Sequence, residues 1–372
     1  NFLQNKLEIS PIKLPLQRGV IELPADPFEG LAGVFNDSLP DGWGRLLFDR
    51  MLRSEGILPS EVTPLDRLAH VGLHGLGALV YEPDESPKFY DEIIDLDVLA
   101  SQTKEVLEGD SDDIIAELLA LNGSSAGARP KALIGVDKKR KNISYGAHQL
   151  SDGFEHWMVK FPNSQDGKDA GAIEYVYALM ATEAGIAMPN VHLFSSQKGN
   201  GYFAVKRFDR EGNERLHMHT VSGLIHSNFR FPSLDYEDLL SLTSFLTKDI
   251  REVEKMFRLA VFNVMAHNQD DHAKNFSFLM NELGEWKLSP AYDLTFSNGP
   301  GGEQSTMVLG EGRNITVKHL SKLGEEAQLS KEFIENVIEQ TLSALGKWQS
   351  LSKKYGVSDV NMQLISKTIS KF

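Results

Sequence analysis

The chain of 372 residues contains no cysteine. That excludes disulfides, thiolate nucleophiles and Cys-ligated zinc, and it fits a cytosolic setting. No apolar run approaches the roughly 20 residues that cross a bilayer, and the start carries no signal-peptide pattern, so no membrane association is expected. Basic charge is in deficit: 38 Lys and Arg stand against 52 Asp and Glu, for a formal net charge of -14. This argues against a whole-surface nucleic-acid binder and leaves room only for a local basic patch. Internal repeats and low-complexity segments are also lacking. The chain opens on Asn1 in mid-pattern and reads as lacking some N-terminal residues. What it does have, 41% hydrophobic and 24% charged residues, describes an ordinary globular protein of up to two or three domains.

Chemistry is densest in residues 266–293. A polar block, His267 to Asn275, sits directly against the apolar run Phe276 to Met280, and Asp293 follows a turn and a second short apolar run. Polar groups crowded at the mouth of buried strands are costly unless something binds them. Asp270 and Asn275 stand in the D-x-x-x-x-N spacing of a kinase catalytic loop. In such a loop the Asp accepts the proton of the substrate hydroxyl and the Asn holds Mg²⁺. Asp293 falls where a second metal carboxylate is needed. A solvated turn capped by Asp and Asn would explain the composition but not the spacing. A transition-metal site of His267, Asp270, Asp271 and His272 is a further alternative.

Upstream, a helix ending near Leu121 leads into the small residues of Asn122 to Lys131, then a strand, Ala132 to Val136. Small residues let backbone amides approach an anion, and Lys131 adds charge. A short strand, His156 to Pro162, carries Lys160 in an apolar context. Ala172 to Ala184 reads as an amphipathic helix with Glu174 in its first turn, a possible partner for Lys160. Gly199-Asn200-Gly201 is a hairpin signal between Val191–Ser196 and Tyr202–Phe208. His217-Met218-His219 reads as a surface hairpin or loop. Residues 1–85 alternate proline, glycine and short apolar runs, with Ile9 to Leu16 as an extended edge segment. The order of parts is glycine/serine loop, strand lysine, helix glutamate, hairpin, helices, D-x-x-x-x-N loop and a further Asp. That order predicts an α+β, bilobal, protein-kinase-like core after a small β-rich N-terminal subdomain. The expected divisions are 1–85 for that subdomain, 86–208 for the N-lobe with the phosphate loop, and 209–372 for the helical C-lobe.

These residues resemble the HipA family of bacterial serine/threonine kinase toxins, whose core is related to phosphoinositide kinases. The resemblance runs nearly the whole length. It is carried by Leu39-Pro40-Asp41-Gly42, Gly75-Leu76-Gly77-Ala78-Leu79, Ser124 to Lys131, Val159-Lys160-Phe161-Pro162 and Arg207-Phe208-Asp209-Arg210. Its most specific parts are Asn268 to Ser277 and Leu288 to Leu294.

The resemblance implies Asp270 as catalytic base, with Asn275 and Asp293 as Mg²⁺ ligands and Lys160 on the ATP phosphates. Lys206, Arg207 and Phe208 would form a hinge beside adenine, mostly through backbone. His272 and Tyr292 would line the nucleotide site, with Ala273 and Lys274 beside them. Ala126, Gly127, Ala128, Arg129, Pro130 and Lys131 would be a mobile phosphate loop. Autophosphorylation would fall on Ser124, or on Ser125 beside it, and would shut the kinase off. The chain departs from the family at Arg129-Pro130, where Gln-Glu is usual, and at Lys206, where an acidic residue is common.

ATP and Mg²⁺ are the implied cofactors. The implied partners are a HipB-like helix-turn-helix antitoxin, DNA only through that antitoxin, and a protein substrate such as glutamyl- or another aminoacyl-tRNA synthetase. A cytoplasmic, bacterial location follows from the same resemblance. Two other readings stand beside it: a catalytically weak binding module acting with an antitoxin as a corepressor, and a small-molecule or lipid kinase on the same core.

Overall fold

A computed structural model of the chain describes residues 7–86, 94–109, 114–123, 127–145, 149–163 and 167–371. Gly19–Gly171 with Asn190–Met218 makes one unit, and Asn1–Arg18, Ala172–Pro189 and His219–Phe372 make another.

In the first unit the helices α1 (Trp43–Ser54), α2 (Pro64–Val71), α3 (Leu96–Glu108) and α4 (Ile115–Asn122) precede an antiparallel sheet. The sheet is built from β1 (Lys131–Asp137), β2 (Ile143–Tyr145), β3 (Phe154–Lys160), β4 (Val191–Phe194) and β5 (Tyr202–Lys206), in the order β2-β1-β3-β5-β4. The β4–β5 hairpin turns at Gly199-Asn200-Gly201, as its turn chemistry predicts. The inner strand β1 is buried at every position but its last, a continuous buried run rather than an alternating one. Trp43, Leu47 and Phe48 of α1 and Leu118 of α4 share one core with Ile134, Val136, Trp157 and Val159 of the sheet. Each such side chain contributes about 1.5–3 kcal/mol on burial.

The α+β class holds, but the N-terminal part is not β-rich. Residues 7–86 form α1, α2 and a short turn of helix at Gly33–Asn36, with no strand among the described residues. The expected edge segment Ile9 to Leu16 is a run of bends, with the Leu14 N–H donating to the Ser10 carbonyl at 3.0 Å. Prolines that remove ladder donors leave such a segment no pairing partner and favour turns.

In the second unit, α5 (Ala170–Glu183, from Ala172 onward) precedes α6 (Tyr236–Thr247) and α7 (Ile250–Met265). The C-terminal helices are α8 (Val317–Glu326), α9 (Lys331–Leu345), α10 (Trp348–Lys354) and α11 (Asp359–Ile369). Helix α7 opens on an Asp249 cap and buries Val253, Met256, Phe257, Ala260, Val261 and Val264 before it stops at Ala266. The chain then enters the polar block and runs into β7 (Ser277–Met280), buried at all four positions, which pairs antiparallel with β8 (Trp286–Leu288). A parallel pair joins β6 (Leu234–Asp235) to β9 (Thr306–Met307). His217 and His219 are buried in a strand, not on a surface hairpin, and His219 Nε2 lies 3.0 Å from Ser10 Oγ. No helix among the described residues is long and apolar enough to cross a membrane.

Candidate active site

The polar block is shaped by two residues in the left-handed region, His267 at φ 56° and Asp293 at φ 58°. Non-glycine residues held there are strained, and such strain collects at functional sites. Asp270 itself is exposed. Its N–H donates to Ser297 Oγ at 3.1 Å, and its carbonyl accepts from Asn275 Nδ2 at 2.8 Å. That bond commits the Asn275 amide nitrogen and leaves Oδ1 as the atom to meet a cation. The Tyr292 hydroxyl donates to the Lys274 carbonyl at 2.7 Å and contacts Ser277 Oγ. It thus fastens the segment bearing Asp293 to the loop bearing Asn275. Hydrogen bonds thus link Asn275 to the Asp270 backbone and Tyr292 to the Lys274 backbone, and Asp293 follows Tyr292 directly in the chain. His272 packs against Phe229, ring centroids 5.1 Å apart, and Lys274 Nζ lies 4.5 Å from the same ring. Ala273 is buried in the single helical turn Ala273–Asn275. The alternative of a transition-metal cage finds no support: among the described residues no three His, Cys, Asp or Glu side chains are placed to share an ion.

Beneath the loop lies Asp271, whose spacing carries no signal of its own. It is completely buried. Its carboxylate accepts from the Tyr236 hydroxyl at 2.5 Å, from Gln304 Nε2 at 2.9 Å and from the Thr306 N–H at 3.0 Å. Burial pushes its pKa up to about 7, against the pull of those three donors. Burial, with Asp271 beside it, also raises the Tyr236 phenol well above its ordinary value.

In the first unit, Lys131 and Lys160 are directly opposed partners on β1 and β3. Like charges at that spacing repel, and an anion set between them relieves the repulsion. A β-carbon on Gly127 would stand 2.7 Å from Lys131 Nζ, so the ammonium rests over the Gly127 backbone. The Trp43 N–H donates to the Gly127 carbonyl at 3.0 Å, and a β-carbon on Gly42 would lie 2.4 Å from that oxygen. Pro130 offers its carbonyl to the Phe161 N–H at 2.8 Å, which seats the end of the loop, after Ala128 and Arg129, on β3. Lys160 Nζ stands 5.7 Å from the Phe203 ring. Ser124, Ser125 and Ala126 lie outside the described residues.

At the hinge positions, the Lys206 N–H donates to the Asn190 carbonyl and the Arg207 N–H to the His156 carbonyl, each at 2.8 Å. Backbone contact from those two residues to a base would therefore use carbonyl oxygens. Lys206 Nζ pairs with Glu155 at 2.6 Å, and the side chain of Arg207 turns to Asp209. Burial alone would raise the Asp209 carboxyl, but Arg207 and Arg210 hold it far below the usual range.

A model of the HipA-like C-terminal domain matches residues 123–348, and one of the HipA N-terminal domain matches residues 1–82. The chain belongs to the HipA family. Its fold is that of the Shewanella oneidensis HipA solved with HipB and operator DNA, at a TM-score of 0.70 and 15% identity over 99% of this chain and 88% of that one. Among curated proteins it is similar to the candidate kinase Y4dM of Sinorhizobium fredii, 25% identical over 57% of this chain and 52% of the relative. A second candidate kinase of the same organism, Y4mE, is 27% identical over 26% of this chain and 25% of its own length. The chain thus spans about half of the first relative and a quarter of the second.

Two HipA motifs acquire a physical reason here. Gly75 and Gly77 offer carbonyls to Arg210, at 2.9 and 3.1 Å, and to Arg215, at 2.6 and 2.9 Å. The Gly77 N–H donates to Asp209 at 2.8 Å. The glycine motif and the Arg207-Phe208-Asp209-Arg210 motif are therefore two sides of one buried network.

Proposed function

We propose that this HipA-family chain is an ATP- and Mg²⁺-dependent serine/threonine protein kinase of the toxin type. The observation that carries the reading is the hydrogen bond from Asn275 Nδ2 to the Asp270 carbonyl, which engages the amide nitrogen rather than Oδ1 and ties Asn275 to the backbone of an exposed Asp270. The donor set fits the ion: Asn275 Oδ1 and the Asp293 carboxylate are hard oxygen ligands, and Mg²⁺ is commonly held by one or two such groups plus phosphate. When bound, the ion supplies positive charge against the phosphate oxygens. Asp270 accepts the proton of the acceptor hydroxyl as that oxygen bonds to the γ-phosphorus and the bond to the ADP oxygen breaks. Lys131 and Lys160, together with the Gly127–Pro130 backbone, take the phosphates. Lys206, Arg207 and Phe208 of the first unit are assigned to the base, and His272, Ala273, Lys274 and Tyr292 of the second unit to nucleotide contact.

A HipB-like antitoxin is the partner this reading entails, supported by family membership and by the complex in which the Shewanella relative was solved. DNA is reached only through that partner. An aminoacyl-tRNA synthetase as acceptor, and self-inactivation at Ser124 or Ser125, rest on the family resemblance alone. Incubation with labelled ATP should label the protein on one of those serines, read by peptide mass spectrometry. Asp270→Asn should lower the rate by about 10²- to 10⁴-fold. Undiminished labelling in that variant would remove Asp270 as the base. Lack of Mg²⁺-dependent ATP binding in calorimetry would favour the corepressor reading instead.

A further inference from the structure

Asp270 is exposed, and its side chain is carried on the backbone of the loop. That backbone is the first member of a continuous, one-directional hydrogen-bond chain. The Asp270 N–H donates to Ser297 Oγ at 3.1 Å, and Ser297 Oγ donates to Asn268 Oδ1 at 2.9 Å. Asn268 Nδ2 donates to Asn263 Oδ1 at 3.0 Å, and Asn263 Nδ2 donates to the Tyr236 hydroxyl at 3.0 Å. The Tyr236 hydroxyl donates to the Asp271 carboxylate. Tyr236, Asn263, Asn268 and Asp271 are each no more than 2% exposed. Every donor along the chain meets one acceptor, and the chain ends on the Asp271 carboxyl group.

We propose that Asp271, Tyr236, Asn263, Asn268 and Ser297 act as one positioning relay that fixes the Asp270 backbone and, through the Asp270 carbonyl, the Asn275 side chain. The inference rests on the reading of Asp270 as the base. Three features support a relay over a set of separate local contacts. The links join elements far apart in sequence: the start of α6, the body of α7, the loop, and the segment after Asp293. Hydrogen bonds aligned in one direction polarise one another, so the loss of one weakens the next. The far end is clamped independently, because Asp271 also accepts from Gln304 and Thr306. Asn275 adds the last step, since its donation to the Asp270 carbonyl makes the metal-facing Oδ1 follow the same backbone.

The test is a double-variant cycle on the two ends, Tyr236→Phe and Ser297→Ala, which no direct hydrogen bond connects. Each single variant should lower kcat for self-labelling by roughly ten- to a hundredfold with the KM for ATP unchanged. The double variant should lose no more than the worse single one. Amide hydrogen exchange across residues 268–275 is the second readout and needs no activity. Tyr236→Phe should speed it, and adding Ser297→Ala should speed it little further. Losses that multiply in the double variant, or exchange at 268–275 unmoved by Tyr236→Phe, would overturn the relay. A wild-type protein that transfers no phosphate would instead overturn the kinase reading, and the exchange cycle would still decide the relay.

Discussion

Replacing Asp271 by Asn removes a buried group that titrates, and the consequence is a stability difference that depends on pH with a defined sign. Asp271 is completely buried, and burial raises its pKa to about 7. In the unfolded chain an Asp titrates near about 4. The folded protein therefore binds more protons than the unfolded one between those values. The contribution of the protonated form is full below about pH 4 and is lost as pH rises toward about 7. Three units at about 1.4 kcal/mol each give about 4 kcal/mol across that window. Wild-type stability alone would not isolate the effect. His156, lowered to about 4 by burial and by Arg207 and Arg210, works in the opposite direction over part of the same range. The difference between wild type and Asp271→Asn cancels His156, because Asn does not titrate and His156 is present in both. Urea unfolding of both proteins at half-unit steps from pH 4.5 to 8 should show that difference falling by about 1.4 kcal/mol per unit and levelling off above about 7. A difference that stays flat from pH 5 to 7, or that rises, would refute the buried, electrostatically isolated placement of Asp271.

Asp209→Asn should destabilise the first unit by about 3–5 kcal/mol, because Arg207 and Arg210 would be left buried without their carboxylate; a loss under about 1 kcal/mol in denaturant would contradict this. Gly42→Ala places a β-carbon 2.4 Å from the Gly127 carbonyl oxygen at a residue whose φ is 49°. It should displace the phosphate loop and weaken ATP binding by about tenfold or more, and calorimetry showing wild-type affinity would count against that placement. Asp293→Ala should raise the Mg²⁺ concentration for half-maximal transfer while leaving the melting temperature within about 3 °C. An unchanged Mg²⁺ titration would remove Asp293 from the metal site.

Legibility in the sequence followed the range of the interaction. The Gly199–Gly201 hairpin and the closeness of Asp270 to Asn275 are set within a few residues, and both are legible in the chain alone. The register that opposes Lys131 to Lys160 was half visible: both lysines stood out, but not their pairing. The sequence marks Asp271 only as one candidate ligand in a His/Asp cluster. Its real partners, Tyr236, Gln304 and Thr306, lie 33 to 35 residues away on other elements, and no period links them. The N-terminal region misled for a different reason. Its prolines and short apolar runs suit edge strands and turns equally, and only a partner strand could decide between them. His217 and His219 looked exposed because polar residues usually are, yet both are buried.

The same distinction explains why the short HipA motifs looked weak one at a time. Gly75-Leu76-Gly77 supplies backbone carbonyls and an N–H, and any sequence could supply those. The arginines that take them up, Arg210 and Arg215, are 133 to 140 residues further on. Each side makes sense only when the other is present, because a guanidinium buried without acceptors is as costly as a carbonyl turn buried without donors. The result is mechanical. Arg210 and Asp209 follow Phe208 directly, so the hinge positions Lys206 to Phe208 are anchored through the residues that follow them to a turn in the N-terminal region. The Gly127 carbonyl is likewise held by the Trp43 N–H. Both features assigned to nucleotide binding in this unit, hinge and phosphate loop, are therefore braced by residues that precede the kinase core. Under the proposed function, a change in that region should act on nucleotide affinity before it acts on the proton transfer assigned to Asp270.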